Sequence, residues 1–503
     1  MSITPIRRVV IVGGGTAGWM TAAALSTLLT SATQIELVES DEIGIVGVGE
    51  ATIPHIRLFN AAIGLDENEF LRKTQGSFKL GIEFVNWGQQ GDRYIHGFGK
   101  VGQDAFGTPF HHFWLARAAA GRHAELDACS INTLAPLHHK FMRPREDMAG
   151  SPLADTTYAF HFDASLYARF LRGFCEGRGV KRTEGKINRV LQREGDGFIT
   201  GVQLENGTLV EGDLFVDCSG IRALLIGQTL GVGYEDWRHW LPCDRAIAVP
   251  CERVDPLLPM TRSTAHGAGW QWRIPLQHRT GNGHVFSSRF ISEDEAAAVL
   301  MKNLDGAPLA DPRTVRFITG RRDRFWDRNC VSVGLSSGFL EPLESTSIHL
   351  IQMAVTRLIQ FFPHMGFDEA DITEYNAQTQ YEYERIRDFI ILHYHATERD
   401  DTPFWNYCRT MEIPATLQHK IDLFSANARI VREGNELFAE PSWLQVMWGQ
   451  RIRPRGYHPF ATQKSGAEVD GFLDNVEGVI AKCVSVMPTH AEYIAEHCAA
   501  PQP

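Results

Sequence analysis

A strand, a glycine turn and an alanine-rich helix open the chain. A second strand ends on an acid about 20 residues after the turn, and a later apolar strand returns to the same layer. Together these predict an α/β fold: a Rossmann-like dinucleotide-binding module interrupted by an antiparallel sheet, with a mainly helical module after it. Val9 to Val12 is the first β-branched run, Gly13-Gly14-Gly15-Thr16-Ala17-Gly18 the turn, and Trp19 to Leu29 the helix. Gly13 permits the tight turn, Gly15 the close approach of backbone to a pyrophosphate, and Gly18 the packing of helix on strand. Thr16 and Ala17 fall where the helix N-terminus would hold the phosphates. Ile35 to Glu39 is the second strand, and Glu39 ends it where a carboxylate can accept the hydroxyls of an adenosine ribose. The bland alternative for Glu39 is a surface acid.

Further along, strands flank Asp196-Gly197 and a second turn stands at Asn206-Gly207, the hairpin chemistry of an antiparallel insertion. Gly212 to Gly220 then brings a strand back to the nucleotide layer. An interrupted layer of this kind resembles FAD enzymes of the flavin monooxygenase type more than NAD dehydrogenases, so the expected dinucleotide is FAD. No second glycine fingerprint for NAD(P)H is visible. Reduced flavin is therefore expected from a separate NAD(P)H-dependent flavin reductase.

A chain of 503 residues implies at least two modules. The expected division is a discontinuous FAD-binding module over 1–360, with an excursion over 94–148 that joins a mainly helical substrate-binding module over 361–503. The net charge of -11, without a long Lys/Arg run, argues against nucleic acid and anionic membrane surfaces as partners. No stretch approaches the roughly 18 apolar residues of a spanning helix, and Met1 to Arg8 leads into a strand rather than a signal-peptide core. The nine cysteines form no Cys-x-x-Cys pair, and the His111-His112 and His138-His139 neighbours point to opposite sides of any regular element, so no metal site is expected. These features lead to an expectation of a cytoplasmic protein with reduced thiols.

Three motifs carry the chemistry. They are Gly47-Val48-Gly49-Glu50-Ala51-Thr52-Ile53-Pro54, Trp270-Gln271-Trp272-Arg273-Ile274-Pro275, and Gly338-Phe339-Leu340-Glu341-Pro342-Leu343-Glu344-Ser345-Thr346. The first has the composition of a loop. In the second, Trp270 and Trp272 alternate along a strand and share a face, as a core wall would. After the third, Ile348, Ile351, Val355, Leu358 and Phe362 form the stripe of an amphipathic helix stopped by Pro363, whose N-terminus is an anion site by construction or an ordinary Ser/Thr N-cap.

In order and spacing these motifs resemble the flavin-dependent tryptophan halogenases over nearly the whole chain, and the Trp-x-Trp-x-Ile-Pro element is the most specific of them. The resemblance implies that Gly49, Glu50 and Ala51 belong to a strap over the flavin, with Leu335 also at the cofactor. Trp270, Trp272, Ile274 and Pro275 would shield the flavin from organic substrate. Halide would be held by the backbone at Thr346 and Ser347, the latter standing where the family commonly has Gly, which leaves chloride against bromide open. Lys79, set between aliphatic and aromatic residues, would be the catalytic lysine rather than a surface cation, and Glu344 the catalytic glutamate.

The implied reaction oxidises halide with oxygen and reduced FAD (FADH2) to hypohalous acid, which reaches Lys79 through a tunnel. Lys79 then aims the halogen, by a hydrogen bond or as a haloamine, and Glu344 polarises it or accepts the ring proton. His96 and Phe98 match the pair that stacks on indole in the family. The Tyr-Tyr pair that holds the amino-acid end of tryptophan is replaced by Ser442-Trp443-Leu444-Gln445. The expected substrate is thus a small electron-rich aromatic such as an indole, with Trp443 as a wall. A flavin-dependent aromatic monooxygenase is the alternative function and a non-catalytic FAD-binding protein a third. The resemblance allows a homodimer.

Overall fold

The structure, a computed structural model, describes residues 4–42, 49–122 and 125–501. Gly47 and Val48 of the first motif lie outside them. The chain forms two compact units, each built from three stretches: 1–76, 162–239 and 316–384 in the first, and 77–161, 240–315 and 385–503 in the second. These units cut across the expected boundary at residue 360, and the 94–148 excursion lies in the second.

The first unit is the nucleotide layer. Arg8–Val12 pairs in parallel with both Gln34–Glu39 and Leu214–Asp217, and the six-stranded sheet extends to Lys181–Glu184 on one side and to Cys330–Ser332 and Trp326–Asp327 on the other. Burial of Val9, Val10, Ile11 and Val12 explains the unbroken β-branched run, because a parallel strand covered on both faces has no polar side. The helix after the turn runs Thr16–Leu28. The insertion is the expected meander of Ile187–Gln192, Ile199–Leu204 and Leu209–Glu211, its tips carrying Gly197 at φ 73° and Gly207 at φ 84°, where a side chain would be strained.

The second unit holds a seven-stranded sheet in which Arg245–Glu252, Arg279–Phe286, Gly269–Pro275, Thr261–His266, Gly81–Val85 and Arg93–Gly97 are successive neighbours; Arg93–Gly97 is an edge strand. Ile247, Val249, Phe286, Ala296 and Leu300 form one of its apolar clusters. The C-terminal part is mainly helical, with Pro403–Thr410, Ala415–Asn427, Glu440–Gly449, Gly466–Ser485 and His490–His497. The mixed α/β class with a helical C-terminal region is as predicted. Two local expectations shift: Gly49–Ala51 is a short strand rather than loop, and the amphipathic helix Ser347–Gln360 ends before Phe362. Among the described residues no helix is long and apolar enough to cross a membrane, and all nine cysteines are buried thiols.

Candidate active site

In the first unit each glycine of the turn has its own reason. Gly13 has φ +115°, and a Cβ there would lie 2.2 Å from the Cys218 carbonyl oxygen; one on Gly18 would lie 1.9 Å from the Gly13 oxygen. Those two are demanded by packing. A Cβ on Gly15 meets nothing within 4 Å, so the fold itself leaves that position open. Gly15 is also the N-cap of Thr16–Leu28, with no side-chain cap among the described residues and no acid in the first turn. The N–H groups from Thr16 and Ala17 onward therefore begin a helix with no acid of its own in the first turn, and the dipole there favours an anion by about 0.3–1 kcal/mol. This cradle fits the pyrophosphate of FAD. Glu39 closes its strand as expected, and Arg182 Nε donates to its Oε1 at 2.5 Å. Burial pushes the Glu50 carboxyl up to about 7, and Leu335 sits in a short turn with 39% of its surface exposed.

The Ser347–Gln360 helix begins from Ser345, at φ 60°, and Thr346, whose side chain makes no cap. Thr346 is fully buried, and among the described residues its hydroxyl has no hydrogen-bond partner. The ordinary N-cap alternative thus fails on geometry, and the helix starts without a side-chain cap, an end at which the dipole favours an anion. Glu344 precedes this end in the turn Pro342–Glu344 and is 1% exposed. Sequence inspection missed the support under the helix: His349 bonds through Nε2 to Glu382 Oε1 at 2.8 Å, and Arg357 donates to Oε2 at 2.5 Å. Burial works against ionisation of Glu382, but His349 and Arg357 outweigh it and lower its pKa. The His55 ring lies 4.9 Å from that of His349; burial first, and then the charge on His349, push it down to about 4.

In the second unit Lys79 exposes none of its surface. Burying an ammonium costs several kcal/mol, which a merely solubilising lysine avoids by snorkelling, so the surface alternative is set aside. Its Nζ lies 5.2 Å from the centre of the Phe98 ring. The Ser77–Lys79 strand pairs with Ala159–Asp163, and Ser77 Oγ donates to the Pro275 carbonyl at 2.5 Å, tying the lysine strand to the end of the tryptophan strand. With that proton committed, Ser77 accepts from Nδ1 of His161 (3.1 Å), whose Nε2 accepts from Thr261 (2.9 Å). Burial, followed by the charge of Lys79, holds the His161 pKa well below its ordinary value, in keeping with this neutral tautomer.

Trp270 and Trp272 are buried on Gly269–Pro275 with ring centres 6.2 Å apart. Ile274 is buried and Pro275 ends the strand. Trp272 faces Gly283 across the sheet, where a Cβ would lie 2.1 Å from the indole; the glycine makes the seat for the ring.

His96 lies within a ring group that includes Phe389 at 5.7 Å and Phe438 at 6.1 Å. Phe389 stacks on Phe438 at 3.8 Å and meets Trp443 edge-on at 4.8 Å. Trp443 is further fixed by donation to the Phe438 carbonyl (3.2 Å) and by Lys420 Nζ 4.9 Å over its ring. Phe389 and Phe438 were missed in the sequence, because each sits in a stretch whose apolar residues mark no single face.

A glycine cradle open where a pyrophosphate would approach, on the same unit as an uncapped helix start, is the equipment of a flavin enzyme that also takes an anion. Two solved structures carry this further. Xcc4156, a flavin-dependent halogenase from Xanthomonas campestris, is 51% identical with a TM-score of 0.96, the match covering 99% of this chain and 100% of that one. BrvH, a flavin-dependent halogenase from Brevundimonas sp. BAL3, is 46% identical with a TM-score of 0.94, over 99% of both chains. The class is thereby that of the flavin-dependent halogenases, which use reduced FAD and halide. The tryptophan halogenase family model matches residues 8–465. Tryptophan 6-halogenase ThaL of Streptomyces albogriseolus is 37% identical over 443 residues, 84% of this chain and 82% of that protein. The chain belongs to the tryptophan halogenase family.

Proposed function

We propose that this halogenase acts on an indole-type or similarly electron-rich ring held between His96 and Phe98, with Lys79 delivering the halogen and Glu344 handling the ring proton. The burial of Lys79 beside Phe98 carries this reading. Reduced FAD, O2, halide and a proton give FAD, water and hypohalous acid when the cofactor is bound. Gly13, Gly15, Thr16, Ala17 and Gly18 hold its pyrophosphate, Glu39 its ribose, and Gly49 to Ala51 with Leu335 its flavin end. The halide rests on the N–H groups after Thr346, including that of Ser347. Trp270, Trp272, Ile274 and Pro275 keep the organic ring from the flavin. The ring carbon attacks halogen presented by Lys79, the oxygen leaves as hydroxide, and Glu344 takes the ring proton and passes it on to that hydroxide, which becomes water. Ser442 and Trp443 replace a tyrosine pair that would grip an amino-acid end, which favours an indole without that end, or one within a larger molecule, over free tryptophan. A separate flavin reductase supplies the reduced cofactor.

Lys79→Ala and Lys79→Met are expected to lose aryl halide formation at least a hundredfold while still binding FAD and releasing peroxide or hypohalous acid. The assay is mass spectrometry of indole, phenol and tryptophan with a flavin reductase, in chloride and separately in bromide. Halogenation at the parent's rate by either variant would sink the role of Lys79, and oxygenated product without halogen would return the monooxygenase reading.

A further inference from the structure

The Arg93–Gly97 strand ends the seven-stranded sheet, so its outward backbone groups need partners other than a strand. At Gly97 that partner is one side chain. The Gly97 N–H donates to Gln445 Oε1 at 2.9 Å, and Gln445 Nε2 donates back to the Gly97 carbonyl at 3.1 Å. The amide imitates the edge of a neighbouring strand. Gln445 is 3% exposed, and its Nε2 also donates to Pro441 in the first turn of its own helix, Glu440–Gly449, at 3.0 Å, which fixes its rotamer. On another side Gly97 is closed in: a Cβ there would lie 2.8 Å from Thr133 of the Ile131–Leu137 helix.

Gly97 stands between His96 and Phe98, and Gln445 stands two residues after Trp443. The clamp therefore joins the strand that carries His96 and leads directly into Phe98 to the helix that carries the proposed wall. Both hydrogen bonds are buried and reciprocal, so strand and helix cannot slide or separate without leaving a backbone group of Gly97 unpaired in the interior.

We propose that Gln445 is the positioning residue that sets the spacing between the His96/Phe98 strand and the Trp443 helix, and through it the ring position presented to the halogen. This rests on the substrate reading above. The hydrogen bonds of the Gln445 amide go to backbone groups of Gly97 and Pro441, and it acts through the residues it holds.

Gln445→Asn keeps the amide but shortens the reach by one carbon, and Gln445→Glu keeps the acceptor for the Gly97 N–H while losing the donor to its carbonyl. Each variant, loaded with FAD and supplied with reductase and bromide, is given 3-methylindole, and the ratio of C2 to benzo-ring products is measured together with KM and kcat. The expected result is at least a threefold change in product ratio and a fivefold rise in KM, with FAD affinity within twofold of the parent. The product ratio does not depend on how much enzyme is active, so partial unfolding cannot produce it. An unchanged ratio and KM in both variants would overturn the proposal. His96→Ala in the same assay separates the causes. If it too changes neither quantity, the substrate reading has failed; if it changes them and the Gln445 variants do not, the clamp alone is wrong.

Discussion

At the scale of single residues, the glycine turn was legible because local chemistry dictates it: only glycine tolerates φ +115° at Gly13 or the 1.9 Å approach at Gly18. Lys79 was legible only through resemblance, since a lysine among apolar neighbours snorkels in most settings and its complete burial is a tertiary fact. Glu50 has no sequence signature for its displaced pKa, which burial alone pushes up to about 7. That value has a consequence for the cofactor. With Glu50 at the flavin end, as proposed above, its ionised carboxylate repels a diphosphate, so FAD affinity should fall as pH rises through 7. Fluorescence titration of FAD between pH 6 and 8 is expected to show weakening of several-fold, abolished in Glu50→Gln. An equal pH dependence in parent and variant would remove Glu50 from the cofactor region.

At the scale of elements, the start of Ser347–Gln360 is the most consequential. Its N-terminus is uncapped, and among the described residues the buried Thr346 hydroxyl has no partner, the setting in which the helix dipole favours an anion and on which the proposed halide site rests. A carboxylate placed there competes with halide for the same N–H groups. Ser347→Asp should accordingly raise the halide KM at least tenfold with FAD affinity unchanged, measured by bromide-dependent product formation; an unaltered halide KM would place the anion elsewhere. The helix itself was readable from its stripe, and the tryptophan strand from its alternation, because both bury one face. The Gly49–Ala51 strand was not, since Gly49 and the neighbouring Gly47 in the sequence carry a loop signal that only pairing overrides. Nor was the aromatic group of Phe389 and Phe438 around His96, whose members are brought together from separate elements.

At the scale of the whole molecule, the α/β class followed from the strand–turn–helix order, whereas the way the chain alternates between units did not. One crossing, between residues 384 and 385, falls inside the continuous Glu369–His395 helix, where no linker composition can mark it. Both units nonetheless share an electrostatic property. His490 and His284 are pushed by burial down to about 4, His55 by burial and the charge on His349 to about 4, and His112 by burial and the charges on His111, His458 and Arg429 to about 3. Each pKa lies below the ordinary 6.5, so in acid the unfolded chain binds protons that the folded one refuses, and stability is lost as pH falls below 6.5 toward 4. Glu50 and Asp127, raised by burial to about 7 and about 6, have the opposite sign and lose stability as pH rises above 4.5 and 3.8 respectively. His111, His161, His266 and His395 are lowered too, which sets eight histidines against two acids among the described residues and puts the net fall on the acid side. His490 illustrates the cause: Nδ1 donates to the Leu257 carbonyl at 3.0 Å and Nε2 accepts the Phe78 N–H at 3.1 Å, one residue from Lys79, and protonation forfeits that acceptor. A fully buried histidine of this kind contributes a slope of about 1.4 kcal/mol per pH unit within its window. Thermal midpoints at pH 7.5, 6.5, 5.5 and 4.5 should therefore drop steadily below 6.5. His490→Gln should start lower at pH 7.5 but fall less steeply, because the proton that the parent excludes is no longer at issue. Equal midpoints at pH 7.5 and 4.5 in the parent, or parallel slopes in the two proteins, would show that buried neutral histidines do not govern its acid sensitivity.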